Sequence, residues 1–207
     1  MIRKLRAAFA GLVALALAGC AGESVWDSDE AVAQAFYAAP GPSTVTLITS
    51  INTRNGSGAH SALLIDGAQR LLFDPAGNWH NPGIPERNDV LFGMSPPYME
   101  YYLAFQSNGV YEAHMHTVEV SPEVAAQLSQ AVQAYGAVPP AYCSRSITSI
   151  LSNTPGFTSI SPSFYPARTM EQFAQLPGVR YQLIEGTISD EEDGSDAVLQ
   201  AQVAAAN

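Results

Sequence analysis

Cysteine is scarce in this chain: Cys20 and Cys143 are the two cysteines among 207 residues. An exported domain stabilised by a disulfide framework would show a larger, even set of thiols. Such a framework is therefore excluded, and each cysteine needs its own explanation. Cys143 is either a small buried core residue or a chemically active thiol.

Basic residues are also few, with nine Lys and Arg against nineteen Asp and Glu. Arg3, Lys4 and Arg6 lie within the first twenty residues. Without that segment, six basic residues face nineteen acidic ones, a net charge of −13. An acidic surface repels phosphate polymers, and no Lys/Arg cluster remains to attract them. Nucleic acid is therefore not an expected partner.

The motifs of several enzyme classes are missing, among them GxSxG, the Walker loop, GxGxxG and HExxH. Serine hydrolase, nucleotide and dinucleotide chemistry are therefore unsupported, and we expect no cofactor. His114 and His116 fall on one face of a predicted strand. With Glu112 or His80 they would be the alternative, a zinc site, but neither HExxH nor clustered cysteines support a metal.

The first twenty residues begin with cations, continue with an apolar stretch and end at small residues. This order is typical of a secretory signal, and the stretch is too short to span a bilayer, which needs about 20 apolar residues. Leu17-Ala18-Gly19-Cys20 resembles the bacterial lipobox, in which the cysteine is acylated and becomes the mature N-terminus. The resemblance implies a signal peptide over residues 1–19 and a lipid anchor at Cys20. Because Ala21 rather than Asp follows, we expect the periplasmic side of the outer membrane.

Composition divides the remaining chain into three parts. Residues 20–42 contain Gly22 and Pro40-Gly-Pro42 and are predicted to form a lipidated tether with a short helix inside it. Residues 187–207 join an acidic run to an Ala/Gln tail and are predicted to be disordered. The folded unit then covers residues 43–186, which suits one domain with a substantial core.

Alternation and turn residues predict an α+β domain. Residues 44–52 and 59–65 are two alternating, apolar-rich segments, and the turn residues between them indicate a hairpin. Further strands are expected over 70–74 and 111–120, and helices over 97–105, 122–135 and 142–152. Residues 75–96 are rich in proline and glycine and are predicted to be loop.

A histidine, a carboxylate and a thiol fall where they could act together. Alternation places His60 on the face of Ala62, and Asp74 on the face of Leu72 in the next strand, so Asp74 could orient the His60 ring. Cys143 lies in the first turn of a helix, where free amides and the helix dipole favour a thiolate. These residues are the candidate nucleophile, base and orienting acid.

Two segments resemble a known family. Gly58-Ala-His-Ser-Ala-Leu-Leu-Ile-Asp-Gly67 and Ala141-Tyr-Cys-Ser-Arg-Ser-Ile-Thr-Ser-Ile-Leu151 resemble circularly permuted NlpC-type papain-like cysteine hydrolases. The resemblance implies a papain-like antiparallel sheet packed against helices, with Cys143 as nucleophile, His60 as base and Asp74 as third residue. The third residue of the family is often His, Asn, Gln or Glu. Asn78 and His80 are therefore alternatives to Asp74.

These inferences together predict a lipid-anchored periplasmic cysteine hydrolase that cleaves an amide or an ester. Its partner is the membrane, through the anchor, and its expected substrate is a peptidoglycan peptide or a lipid. The alternative is a non-catalytic envelope lipoprotein, a binding or scaffold module with the same fold, in which Cys143 is simply buried.

Overall fold

The computed structural model describes residue 22 and residues 24–186. The predicted signal peptide, Cys20 and the predicted acidic tail over residues 187–207 lie outside the described residues. Along the described chain the elements are α1 Asp29–Gln34, β1 Thr44–Asn52, β2 Gly58–Asp66, β3 Arg70–Phe73, β4 Glu86–Arg87, β5 Val90–Phe92, α2 Pro96–Gln106, β6 Tyr111–Glu119, α3 Pro122–Tyr135, α4 Cys143–Leu151, α5 Pro166–Ala174 and β7 Arg180–Glu185.

Within residues 24–186 the seven strands form one antiparallel sheet in the order β4-β5-β3-β2-β1-β6-β7. The β1–β2 hairpin lies near its centre, with Ile48 opposite Ala62. The sheet and its helices confirm the predicted α+β class. The short β4 and β5 lie inside the segment predicted to be loop, because two or three residues carry too little alternation to be recognised. The sequence patterns do not predict α5 or β7 either.

Both faces of the sheet are covered, so the central strands are buried on both sides. One face packs against α3, α4 and α5, and we call it the three-helix face; its core includes Leu47, Leu63, Phe73, Leu128, Ile147 and Phe173. The opposite face packs against α2, and we call it the α2 face; its core includes Ile48, Ala62, Leu64, Leu72, Tyr98 and Tyr102. Successive residues of a strand therefore point to different helices.

The N-terminal segment lies against the domain rather than extending away from it. Trp26 forms a β-bridge with Arg87 of β4, whose guanidinium carbon lies 4.9 Å from the Trp26 ring centroid. Gly22 is so close to Val138 that a Cβ on Gly22 would come within 2.7 Å of the Val138 carbonyl oxygen. The sequence predicts a tether over residues 20–42 because glycine and proline indicate irregular backbone, and residues 24–42 of it are described by the structure. Irregular backbone can still dock, and in the structure this part of the chain does.

The start of β2 packs directly on the start of α5. A Cβ on Gly58 would overlap the backbone nitrogen of Ala167 and lie 2.7 Å from Pro166 Cβ. We expect Gly58→Ala to cost about 1–3 kcal/mol of unfolding free energy through overpacking, seen as a lower midpoint in urea. Gly67→Ala is the matched control, since the nearest atom to its Cβ is Ala125 Cβ at 3.3 Å. Equal midpoints for the two variants would contradict this packing.

Candidate active site

The candidate site lies where β2 extends beyond its neighbour β3. β3 pairs only with Leu63–Asp66 of β2, so within residues 24–186 the first half of β2 has no strand on that side. The N-terminus of α4 occupies this edge. The Cys143 sulfur accepts the backbone N–H of Ser61, and the hydroxyl oxygens of Ser61 and Ser144 are 3.2 Å apart. Although α4 packs on the three-helix face, its N-terminus thus comes close enough to the edge of β2 to contact His60, whose side chain lies on the α2 face.

His60 is the side chain that α4 reaches. It lies on the same side of β2 as Ala62 and is hydrogen bonded to both Cys143 and Asp74. His60 Nε2 lies 2.6 Å from Asp74 Oδ1, which leaves Nδ1 as the ring nitrogen for the thiol. Asp74 directly follows β3 and lies on the face of Leu72, as alternation predicts. The structure therefore brings Cys143, His60 and Asp74 together.

Asp74 is 5% exposed and is held by several hydrogen bonds. Its Oδ1 accepts the Tyr102 hydroxyl at 2.7 Å in addition to the His60 ring. Its backbone carbonyl accepts the Gly77 N–H at 2.9 Å, and a Cβ on Gly77 would overlap the Asp74 carboxylate. A carboxylate removed from water requires such partners, because its unpaired charge would be costly.

Tyr102, Gln106 and Ser50 extend this network beyond the three predicted residues. The Gln106 side chain bonds to the Tyr102 hydroxyl and accepts the Ser50 hydroxyl at 2.6 Å. Ser50 lies opposite His60 in the β1–β2 register. The hydrogen bonds that begin at Asp74 and pass through Tyr102 and Gln106 therefore end at the residue paired with His60. The sequence patterns do not identify Tyr102 or Gln106 as residues of the site. Their i, i+4 spacing on one helix was the available signal.

Burial and charge act in opposite directions on the two central groups. Burial lowers the pKa of His60, but the charge of Asp74 and the hydrogen bonds to Asp74 and Cys143 outweigh it and raise the pKa from 6.5 to about 10. Burial raises the pKa of Cys143, but His60 and the backbone N–H groups of Ser61 and Ser144 outweigh it and lower the pKa below its ordinary value. Both shifts favour a coupled thiolate–imidazolium pair.

Among the described residues, three non-glycine positions adopt left-handed backbone: Ala76 at φ 56°, Asn88 at φ 54° and Ala141 at φ 69°. Ala76 is two residues after Asp74, and Ala141 is two residues before Cys143. Such conformations cost on the order of 1 kcal/mol each and persist where the surroundings determine them. Two segments of the candidate site are thus held in backbone conformations that an isolated chain would avoid.

Asn78 and His80, the two alternatives to Asp74 as the residue that orients His60, do not share its buried position beside the His60 ring. Asn78 and His80 are exposed side chains in the loop after β3. Asp74 is the side chain that holds the His60 ring.

The two histidines weighed as zinc ligands lie on the opposite side of the sheet from His60. His114 Nε2 is 2.9 Å from Glu112 Oε1, and His114 Nδ1 accepts the Tyr181 hydroxyl at 2.9 Å. Both nitrogens of His114 therefore have protein partners. The His116 ring packs against the Tyr181 ring, with centroids 5.0 Å apart and planes tilted by 42°. Within the described chain, no group of three His, Cys, Asp or Glu side chains is arranged to hold a metal ion.

No protein family, curated protein or solved structure matches this chain. Over the part of the chain that the structure describes, no helix combines the length and apolar character needed to cross a bilayer. Function must therefore be inferred from the geometry and chemistry of the site itself.

The pKa shifts predict how fast Cys143 is alkylated at different pH values. In a Cys20→Ser protein, where Cys143 is the remaining thiol, iodoacetamide should react at pH 6 faster than with an unperturbed thiol. His60→Ala removes the hydrogen bond and the charge that contribute most to lowering the Cys143 pKa, while burial still raises it. The rate at pH 6 should then fall tenfold or more, since one pKa unit changes the thiolate fraction about tenfold. His80→Ala is the control, and an equal loss there would refute the assignment.

Tyr102→Phe removes one hydrogen bond to Asp74 without changing the ring. We expect a loss of about 1–3 kcal/mol in unfolding free energy, because a buried carboxylate oxygen loses a donor. We also expect the acid limb of the alkylation profile to move to higher pH, because Asp74, no longer fixed by the Tyr102 hydroxyl, holds the charged His60 ring less firmly beside Cys143. Tyr135→Phe is the control, with its side chain 41% exposed beside Phe73. An unchanged profile in Tyr102→Phe would mean that this bond does not position the base.

Proposed function

We propose that this protein is a lipid-anchored periplasmic thiol hydrolase that cleaves an amide or an ester through Cys143, His60 and Asp74. The observation that carries the proposal is the His60 ring, which is hydrogen bonded on one side to a thiol and on the other to a buried carboxylate. A nucleophile, a base and an orienting group in this order are the requirement for thiol catalysis.

In the proposed reaction, the Cys143 thiolate adds to the substrate carbonyl carbon and forms a C–S bond. His60 holds the thiol proton and delivers it to the nitrogen or oxygen that leaves as the old bond breaks. Water then attacks the acyl-enzyme, with His60 taking a proton from the water and Cys143 leaving as the thiolate. Asp74 keeps the imidazole oriented and stabilises its positive charge throughout, without accepting a proton.

The carbonyl oxygen becomes negative in each addition step and needs hydrogen-bond donors. Tyr142, at the N-cap of α4, makes no side-chain hydrogen bond to the first turn of the helix. The first amides of a helix lack partners within the helix itself. We assign the oxyanion donor to the backbone N–H of Cys143, and the Ser144 N–H to the thiolate that it already contacts.

The finer fold assignment also belongs to this proposal. A histidine on a central strand, an acid after the next strand and a later cysteine at the start of a helix packed on the antiparallel sheet support a permuted NlpC-type, papain-like architecture. The chain order is that of the permuted group, in which the histidine precedes the cysteine. The proposal assigns this order to residues 44–153.

The lipid anchor at Cys20 places the proposed enzyme at the outer membrane, on the periplasmic side. Gly22 already lies against Val138, so one residue, Ala21, separates the acylated cysteine from a packed position. Two residues of extended chain reach about 7 Å. The anchor would therefore hold the domain at the membrane surface, within reach of peptidoglycan peptides or lipids.

The test is the burst of p-nitrophenol from p-nitrophenyl acetate. We expect a stoichiometric burst, with one acetyl group on the peptide that contains Cys143, followed by slower turnover. Cys143→Ala should abolish the burst, and Asp74→Asn should slow it by about 10²–10⁴, the range for loss of an assisted proton transfer. Cys20→Ser is the matched control and should keep the burst. A burst of equal size in Cys143→Ala would refute the proposal, and folded wild-type protein without any burst would leave the binding-module alternative.

A further inference from the structure

Three large aromatic side chains next to the candidate nucleophile are left open to solvent. Tyr142, Phe164 and Tyr165 are 45%, 49% and 71% exposed, and we call them the aromatic wall. Tyr142 is the residue immediately before Cys143. Exposed aromatic groups that cluster together, rather than standing singly, are typical of ligand-binding surfaces.

Tyr142, the N-cap of α4, is in direct contact with Phe164 in the loop before α5. The Tyr142 and Phe164 rings meet edge to face, with centroids 5.1 Å apart and planes at 83°. The Arg145 guanidinium carbon lies 5.9 Å from the Phe164 centroid, and Arg145 Nη1 also donates to the Ser149 hydroxyl at 3.0 Å. Arg145 at the wall thus already has an aromatic and a polar partner within the protein.

The loop that bears Phe164 and Tyr165 is fixed by hydrogen bonds at both ends. Ser163 N–H donates to Thr148 Oγ1 of α4 at 3.0 Å, and Tyr165 N–H donates to Ser163 Oγ at 3.0 Å. Ser161 N–H donates to Gln172 Oε1 of α5 at 2.7 Å. A wall held in this way needs little ordering when a ligand binds, which favours affinity for a matching group.

The same loop also adjoins the strand of the base. Pro166 and Ala167, which directly follow the wall, pack on Gly58, two residues before His60. The wall therefore adjoins the nucleophile through Tyr142, and its loop adjoins the strand that carries His60, whose ring lies on the α2 face. The position of Tyr142 next to Cys143 is what places the wall near the carbonyl carbon that the thiolate would attack.

We propose that the aromatic wall binds the apolar acyl group that the substrate transfers to Cys143. The protein then prefers esters or amides with an apolar acyl chain over those with a small or charged acyl group. This inference rests on the proposed thiol hydrolase. Tyr142 directly precedes Cys143 at the start of α4, so the wall begins beside the group that would be bonded to Cys143 Sγ. In the acylation step the C–S bond forms, the bond to the leaving oxygen or nitrogen breaks, and the thiol proton passes through His60 to the leaving group.

The test compares the burst rates of p-nitrophenyl acetate and p-nitrophenyl hexanoate. These esters share a leaving group and differ in four methylenes of the acyl chain. We expect wild-type protein to react with the hexanoate at least about tenfold faster, since one methylene in an apolar pocket changes the rate about tenfold or more and this wall is half open. Equal rates for both esters in wild type would overturn the inference while leaving the hydrolase proposal intact. No burst with either ester would overturn the hydrolase proposal itself.

Two variants assign the preference to the wall. Phe164→Ala and Tyr165→Ala should each lower the ratio of hexanoate to acetate rates severalfold, while acetate still reacts. Tyr165 is the most exposed of the three, so its replacement tests the wall without removing core packing. Phe36→Ala is the matched control, because Phe36 is 61% exposed in the segment after α1 and outside the wall. An unchanged ratio in Tyr165→Ala, or an equal drop in Phe36→Ala, would overturn the assignment.

Discussion

The short hydrogen bond between the buried Asp74 carboxylate and the His60 ring is the interaction on which the rest of the site depends. Burial alone would lower the His60 pKa and discharge the imidazole, and a neutral ring would no longer supply the positive charge that lowers the Cys143 pKa. The negative charge of Asp74 reverses the effect of burial on His60, and the charged ring then reverses the effect of burial on Cys143. Burying any one of these charged groups by itself would cost free energy. The Cys143 thiolate, the His60 imidazolium and the Asp74 carboxylate can be buried together because each negative group lies next to the positive ring.

The thiol, the ring and the carboxylate can come together because β3 is shorter than its neighbour β2. β3 stops at Phe73, and the chain turns so that Asp74 faces α2 while β2 continues to Gly58. The N-terminus of α4 lies at the unpaired edge of β2. Cys143 there reaches the His60 ring on the α2 face, although α4 itself packs on the three-helix face. A full-length β3 would close this edge and separate the thiol from the ring. The Tyr102 hydroxyl and the close approach of Gly77 then fix the carboxylate in the remaining space.

Much of the site was accessible to sequence reasoning because its signals are local. Two-residue periodicity places His60 and Asp74 on one face of adjacent strands, and Pro139-Pro140 ahead of an apolar stripe indicates where α4 begins. The residues that sequence reasoning missed depend on distant partners. Tyr102 and Gln106 differ from ordinary core residues only by what they meet, namely Asp74 and Ser50 from other elements. The docking of residues 24–42 was missed for a related reason, since Gly and Pro report local backbone shape and not tertiary contact. β4 and β5 are two and three residues long, and β7 is a largely exposed edge strand without a buried apolar face, so all three owe their strand form to pairing with neighbours.

The most direct measurement is the protonation state of His60 itself, followed by NMR of the histidine ring nitrogens in the Cys20→Ser protein. The account predicts that the His60 ring stays doubly protonated at pH 7 and 8 and titrates near pH 10. It also predicts that Cys143→Ala lowers this pKa, because the ring then loses its thiolate partner, while Asp74→Asn lowers it further. A His60 ring that is neutral at pH 8 and titrates near pH 6.5, with no response to either substitution, would contradict it.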